Sequence, residues 1–272
     1  MRIHLQHETT YRYEFEASYA LQALRLTPLD NGNQKILDWR IGTQWGATMT
    51  YGRDAYGNVL NMLTMDRAHT ELTLTLTGEV ETQDAHGVLS EVPEYFPPLF
   101  YLRETELTEP DEAIEALAQA AKKGSDGSPL DLGHQLMGAV RDAIDYQTGL
   151  TDVATKAGEA LAAGHGVCQD HAHVFISAAR VLGVPARYVS GYLWGGEGEA
   201  YEASHAWAEA YIDGLGWVGF DVANRLCPTD AHIRVASGLD YFEAAPVRGV
   251  RRGGGNETLE VRLVVDDKVI QQ

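Results

Sequence analysis

One cysteine in this chain stands where a thiol can do chemistry. Cys168 lies in GHGVCQDHAH, Gly164 to His173, after a glycine-containing loop. It heads a segment in which Ala172, Phe175, Ile176, Ala179 and Leu182 recur at helical spacing, and Gly183-Val184-Pro185 stops that helix. A thiol at a helix N-terminus meets the positive end of the dipole and the unpaired amides of the first turn, which favours the nucleophilic thiolate. A nucleophile also needs a proton carrier. His205 falls on a predicted strand, 204–212; Asp213-Gly214-Leu215 reads as a hairpin turn, and 217–221 as the return strand. Because His205 and Asp221 are an even number of residues apart, they share a face only across an odd loop or a bulge. A loop of about three residues sets His205 opposite Ala223 and diagonal to Asp221, at roughly 7 Å, within hydrogen-bonding reach. In that arrangement Cys168 attacks, His205 takes and returns the proton, and Asp221 orients the imidazole.

Other residues near these motifs admit two readings. Asp170, in the first turn of the cysteine helix, either complements the dipole or shapes the cleft. Tyr192, Trp194 and Trp207 are candidates for cleft contacts, although aromatic residues on strands also serve as packing. Cys227, before Pro228, has no setting that would activate it. His165, Cys168, His171, His173 and His205 could supply nitrogen and sulfur to a zinc ion, but His173 points away from Cys168 and His171 on a helix, and no second CxxC or HExxH pair occurs. No metal and no other cofactor is expected.

The motif order resembles the bacterial transglutaminase-like family of cysteine proteases. The resemblance is carried by Gly166, Cys168, Asp170 and Ala172 (G-x-C-x-D-x-A), Leu182 to Arg187, His205 to Glu209 (HAW-x-E), and Trp217, Phe220 and Asp221 (W-x-x-F-D). Tyr11 to Asp30 is similar to the β-rich region that precedes the family's catalytic core, and Pro246 to Val261 to its tail. The resemblance implies Cys168, His205 and Asp221 as catalytic residues and a papain-like thiol fold, with the cysteine helix packed on antiparallel strands. Asp221-Val222-Ala223-Asn224 departs from the D-P-T-N of many relatives.

Composition narrows the partners. With 21 basic and 39 acidic residues and a net charge of -18, nucleic acid and anionic membrane surfaces are repelled. Two cysteines make no disulfide framework. The N-terminal MRIHLQHETTYRY has no long apolar run, which argues against a signal peptide, and no stretch nears the roughly 20 apolar residues of a membrane helix. A reducing, cytoplasmic location is the expectation.

The elements that must position the site follow from periodicity. Ile3, Leu5, Tyr11, Tyr13 and Phe15 alternate as on a half-buried strand, and Leu24 to Leu26 suggests another. Further strands are predicted at 36–41, 48–51, 59–65 and 70–81, giving a β-sandwich over residues 1–95. Prolines at 93, 97, 98 and 110 mark a connection. Helices follow at 111–123, 131–144 and 156–162, then the cysteine helix, a strand at 187–194 and a mobile 195–199 loop. Arg251 to Gly255 reads as a flexible loop before a last strand, 259–265. The fold class is α+β: a β-sandwich followed by a transglutaminase-like core, 96–272, whose final strand (about 257–266) could instead return to the first domain. The expected activity is thiol-dependent acyl transfer at a peptide or isopeptide bond of a peptide or protein substrate. Peptidase or amidase action is favoured; transamidation by the same three residues, or a non-catalytic binding scaffold, are the alternatives.

Overall fold

The computed structural model describes residues 1–44, 46–195, 200–201 and 204–267. The first strand, β1 (Arg2–Leu24), is the spine of the molecule. Its alternating half, residues 3–13, lies between β5 (His69–Thr82) and β14 (Glu257–Asp267). Its far half, residues 17–24, lies between β4 (Val59–Met65) and β13 (Val247–Gly253). Two strands were predicted where one runs through, because Glu14, Phe15 and Glu16 are all exposed and break the alternation. Register shifts in this stretch let the strand change partners without ending. With β2 (Gln34–Thr43), β3 (Ala47–Arg53) and β9 (Ala200–Tyr201), these form one eight-stranded sheet among the described residues. The expected β-rich N-terminal region is present, but its strands join in one continuous ladder instead of the two stacked sheets of a sandwich.

The C-terminal segment belongs to that sheet. β14 pairs with β1 from Ile3↔Asp267 to Tyr13↔Glu257. Arg251 to Gly253, expected in a flexible loop, are ladder residues of β13 opposite Ala20, Tyr19 and Ala17. The glycines and charges there mark a strand end with one solvated face.

Between β5 and β13 the chain builds the core that carries the motifs. Asp111 caps α1 (Glu112–Gly124), its side chain accepting from the Ile114 amide at 2.8 Å. Ser128 caps α2 (Pro129–Ala143), and α3 (Ala157–Ala163) ends on Gly164 in the left-handed conformation. Two short parallel strands, β6 (Asp145–Tyr146) and β7 (His165–Gly166), then set the entry to α4 (Cys168–Val181). The core sheet has the order β11 (Gly216–Phe220), β10 (His205–Ile212), β8 (Ala186–Leu193), β12 (His232–Gly238), all antiparallel. A one-turn α5 (Tyr241–Ala244) leads into β13.

Apolar periodicity predicts one buried face on α4, yet every residue from Gln169 to Arg180 is buried. Backbone groups make this tolerable. Arg180 donates to the carbonyls of Tyr101, Ala186 and Leu239 and to Thr108 Oγ1 at 2.7–2.9 Å, and His173 Nε2 accepts from the Tyr241 amide at 3.1 Å. Side-chain amides join the N-terminal sheet to the core. Asn58 exchanges two hydrogen bonds with the backbone of Ser237 (2.8 and 2.9 Å), and Gln34 does the same with Arg234 (2.8 and 2.9 Å). No helix among the described residues is long and apolar enough to cross a membrane.

The strands supporting the site tolerate little extra volume. A Cβ on Gly191, opposite His205 on β8, would lie 2.2 Å from the Ile233 carbonyl and 2.6 Å from the Trp207 ring. Gly191→Ala is therefore expected to lower unfolding free energy by about 3 kcal/mol, the upper range for overpacking. A urea midpoint equal to that of the parent would contradict this close packing.

Candidate active site

The β10–β11 hairpin has the predicted three-residue loop, since Ile212 pairs with Gly216 and the ladder continues to Ala208↔Phe220. Beyond Phe220 the chain leaves the ladder, and Asp221 closes a tight loop by exchanging backbone hydrogen bonds with Leu226 at 2.8 and 3.2 Å. On the shared face, His205 Nε2 lies 2.7 Å from Asp221 Oδ2. Cys168, at the N-terminus of α4, lies within electrostatic reach of the same imidazole. His205 and Asp221 thus meet as type and spacing anticipate, with the cysteine near them.

The electrostatics fit this contact. Burial alone would lower the His205 pKa; hydrogen bonds to Asp221 and Cys168, and the charges of both, outweigh it and raise the imidazole to about 10. Burial would likewise raise the Asp221 pKa. Hydrogen bonds from His205 and His232, with their charges, instead hold this fully buried carboxyl well below the usual carboxylate range. The arrangement favours imidazolium beside the Asp221 carboxylate near neutral pH.

Three residues given no role in the sequence analysis belong here. Asn224 donates from Nδ2 to Asp221 Oδ2 at 2.8 Å, and its amide reaches Oδ1 at 3.3 Å. His232, at the start of β12, places Nε2 at 3.1 Å from the same Oδ2. Tyr146, on β6, stands half-exposed with its ring stacked on His171 at 6.1 Å. Burial and then the charges of Cys168 and Asp221 push its phenol up to about 12. Asn224, the residue that D-V-A-N shares with D-P-T-N, could have been flagged as closing the turn. Nothing in CPTDAHIR, a segment without alternation, could have flagged His232.

The cleft candidates separate. Asp170 is buried; its Oδ2 accepts from the Val167 amide at 2.7 Å and from Thr151 Oγ1 at 2.8 Å, pinning the loop that presents Cys168. Tyr192 does not line the cleft. One residue beyond Gly191, it points to the opposite face of β8 and meets His7 Nδ1 of the N-terminal sheet at 2.8 Å. Trp207, 2% exposed, is also no cleft wall: it packs beneath the imidazoles, edge-on to His232 at 5.4 Å and tilted to His205 at 6.1 Å. Trp194 is half-buried after β8, its amide bonded to the Ala231 carbonyl at 2.9 Å. The expected mobile loop falls largely on residues 196–199, outside the described residues.

Among the described residues, one group, His205, Asp221 and His232, has potential metal-ligand atoms within 4.8 Å of one another. Its donor chemistry does not suit a cation. His232 Nδ1 accepts from the Thr229 amide at 3.1 Å, so a neutral ring carries its proton on Nε2, where the metal would bind. Two of the histidines weighed earlier for zinc are engaged elsewhere: His171 has backbone carbonyls at 2.8 and 3.1 Å on its two nitrogens, and His173 accepts from the Tyr241 amide.

Comparison with known proteins places this geometry in a lineage. Residues 115–222 match the transglutaminase-like superfamily and residues 3–81 the bacterial transglutaminase-like N-terminal region. An uncharacterised protein of Mycobacterium leprae is 32% identical over 96% of each chain. The chain belongs to the transglutaminase-like superfamily. An uncharacterised Mycobacterium tuberculosis protein is 28% identical over 92% of this chain and 87% of its own. The transglutaminase-like fold is shared with a crystal structure of a "Putative Cysteine Protease from Cytophaga hutchinsonii", TM-score 0.77 at 23% identity, covering 100% of this chain and 92% of the other. The superfamily match spans Cys168, His205 and Asp221 and ends before His232.

Proposed function

We propose that the protein is a thiol acyl-transfer enzyme acting on peptide or isopeptide bonds, with Cys168 as nucleophile, His205 as proton carrier and Asp221 as orienting carboxylate. The observation that carries this reading is the shared imidazole: His205 touches Asp221 through Nε2 and lies within electrostatic reach of a cysteine at the N-terminus of α4. The thiolate adds to the amide carbonyl, and the oxyanion accepts from the Cys168 amide, one of the first-turn N–H groups without an intrahelical partner. As the C–N bond breaks, imidazolium gives its proton to the leaving amine, and the acyl group remains on sulfur as a thioester. Water, deprotonated by His205, then releases a carboxylic acid and restores the thiol. An amine in place of water gives a new amide, so the same groups run transamidation. Hydrolysis is the reading preferred here, in keeping with the name of the Cytophaga protein. Leu150 and Val153 are exposed on the segment whose Thr151 binds Asp170; beside Tyr146, they offer apolar contact to a bound peptide.

Two measurements test this. Iodoacetamide should alkylate Cys168 readily at pH 6, where an ordinary thiol of pKa about 8.5 is almost wholly protonated and unreactive. Benzyloxycarbonyl-Gln-Gly with hydroxylamine, followed by mass spectrometry, distinguishes free acid from hydroxamate. A labelling profile that rises only above pH 8, with no acyl adduct on Cys168, would support the scaffold alternative.

A further inference from the structure

We propose that His232 is a positioning residue for the carboxylate of the thiol site, and that the N-terminal sheet acts on the chemistry through it. The inference deepens the acyl-transfer reading and rests on it for its kinetic consequences, though not for the geometry itself. His232 Nδ1 accepts from the Thr229 amide at 3.1 Å, so the single proton of the neutral ring sits on Nε2 and points at Asp221 Oδ2, also 3.1 Å away. Protonating Nδ1 would set two N–H groups against each other. The ring is buried and held edge-on by Trp207 at 5.4 Å. It therefore cannot swing away from the carboxylate.

Asp221 Oδ2 thus accepts from three donors with different duties. His205 must trade a proton with sulfur during turnover. Asn224, on the loop that Asp221 itself closes, and His232, on a core strand, do not. These two fix the plane of the carboxylate and leave the remaining direction for His205. Removing the His232 donor leaves a fully buried carboxylate short of one partner, which raises the cost of keeping it charged. Asp221, just beyond β11, and His205 on β10 are the titratable groups that face the ring, while Glu209 on β10 is committed to Arg187 and Arg234 at 2.6–3.1 Å. On its own segment, Asp230 is occupied by the chain N-terminus, 3.7 Å away.

His232 is also where the N-terminal sheet grips the core. Thr82 Oγ1 donates to the Asp230 carbonyl at 2.5 Å, two residues before His232. Two residues after it, Gln34 binds both the amide and the carbonyl of Arg234. The strand start that aims Nε2 is thus clamped on both sides by residues some 150 to 200 positions away in sequence. Displacing this strand start moves the donor off Asp221, so the N-terminal region bears on the site without touching Cys168.

The test uses the full-length protein with His232→Phe, His232→Gln and Gln34→Ala. Phenylalanine keeps the ring volume against Trp207 and removes both nitrogens; glutamine can still donate to Asp221. Long-range 1H–15N spectra of the histidine rings should show the proton of neutral His232 on Nε2. Iodoacetamide alkylation of Cys168 at pH 5 should fall about 10-fold in His232→Phe, stay within about 3-fold of the parent in His232→Gln, and fall about 3-fold in Gln34→Ala, on the scale of outer-shell losses. A neutral His232 carrying its proton on Nδ1 would overturn the proposal. So would an acid limb unchanged in His232→Phe. If His232→Phe does not fold, the ring spectra and Gln34→Ala decide. A parent protein with an ordinary thiol profile would defeat the acyl-transfer reading, while the tautomer measurement would stand by itself.

Discussion

Asp221→Asn should slow acyl transfer by about 10³- to 10⁴-fold and leave the fold intact, as expected when the carboxylate of a Cys/Ser-His-Asp set becomes an amide. An asparagine can turn its oxygen toward the three donors that converge on Oδ2, from His205, His232 and Asn224. Its nitrogen then replaces Oδ1, which accepts only the long 3.3 Å bond from the Asn224 amide. Shape and most hydrogen bonds survive; charge does not. The imidazole loses the anion that helps hold its pKa near 10, so the ring gives up its proton at lower pH than in the parent and is a poorer cationic partner for the sulfur. Rapid-quench measurement of thioester formation, beside the alkylation profile, reports both effects. A less than 10-fold loss with the parental alkylation profile would remove Asp221 from the mechanism.

Glu209→Gln should be the most destabilising single change near the site, by about 3–5 kcal/mol. Glu209 is 2% exposed and lies between Arg187 (2.6 Å) and Arg234 (2.7 and 3.1 Å). Arg187 is itself buried, its guanidinium 3.9 Å above the Trp217 ring. Neutralising the carboxylate leaves two cations in a low-dielectric setting, with the more exposed Glu94, 3.6 Å from Arg187, as the remaining counter-charge. The pH dependence carries the same information. Burial would raise the Glu209 pKa, but Arg234 and Arg187 bring it from 4.5 to about 2. A depressed carboxyl contributes stability that is complete above its unfolded pKa and lost as pH falls through the folded one. The contribution, about 3 kcal/mol for a shift of this size, should disappear between pH 4.5 and 2. Urea unfolding at pH 7 and pH 3 would show the variant losing less on acidification than the parent. A pH 7 stability within 1 kcal/mol of the parent would mean that the network is dispensable.

The residues legible in the sequence were those fixed by short-range geometry. The Asp213-Gly214-Leu215 turn sets the hairpin register, and parity then places His205 and Asp221 on one face. Gly183 and Pro185 end the helix that Cys168 begins. The same parity argument, applied to β8, would have turned Tyr192 away once Gly191 was placed opposite His205, but that register depends on a strand pair distant in the chain. His232 was illegible for the same reason: its role comes from contacts with Thr82 and Gln34, across the molecule. β13 was missed because glycine and arginine signal loops, whereas its pairing with β1 is a tertiary decision.

The meeting of β1 and β14 sets how this protein can be cut. Ile3 pairs with Asp267, so the strands that complete the large sheet come from opposite ends of the described chain, and the thiol-bearing core is threaded between them as an insertion. One proteolytic nick cannot liberate either part; two would be required, with the outer strands rejoined. Circular permutation shows the other side of this: a short linker across the neighbouring ends, with new termini in the exposed turn at 125–127, should yield an active protein, whereas trimming β14 should strip half of the support from β1.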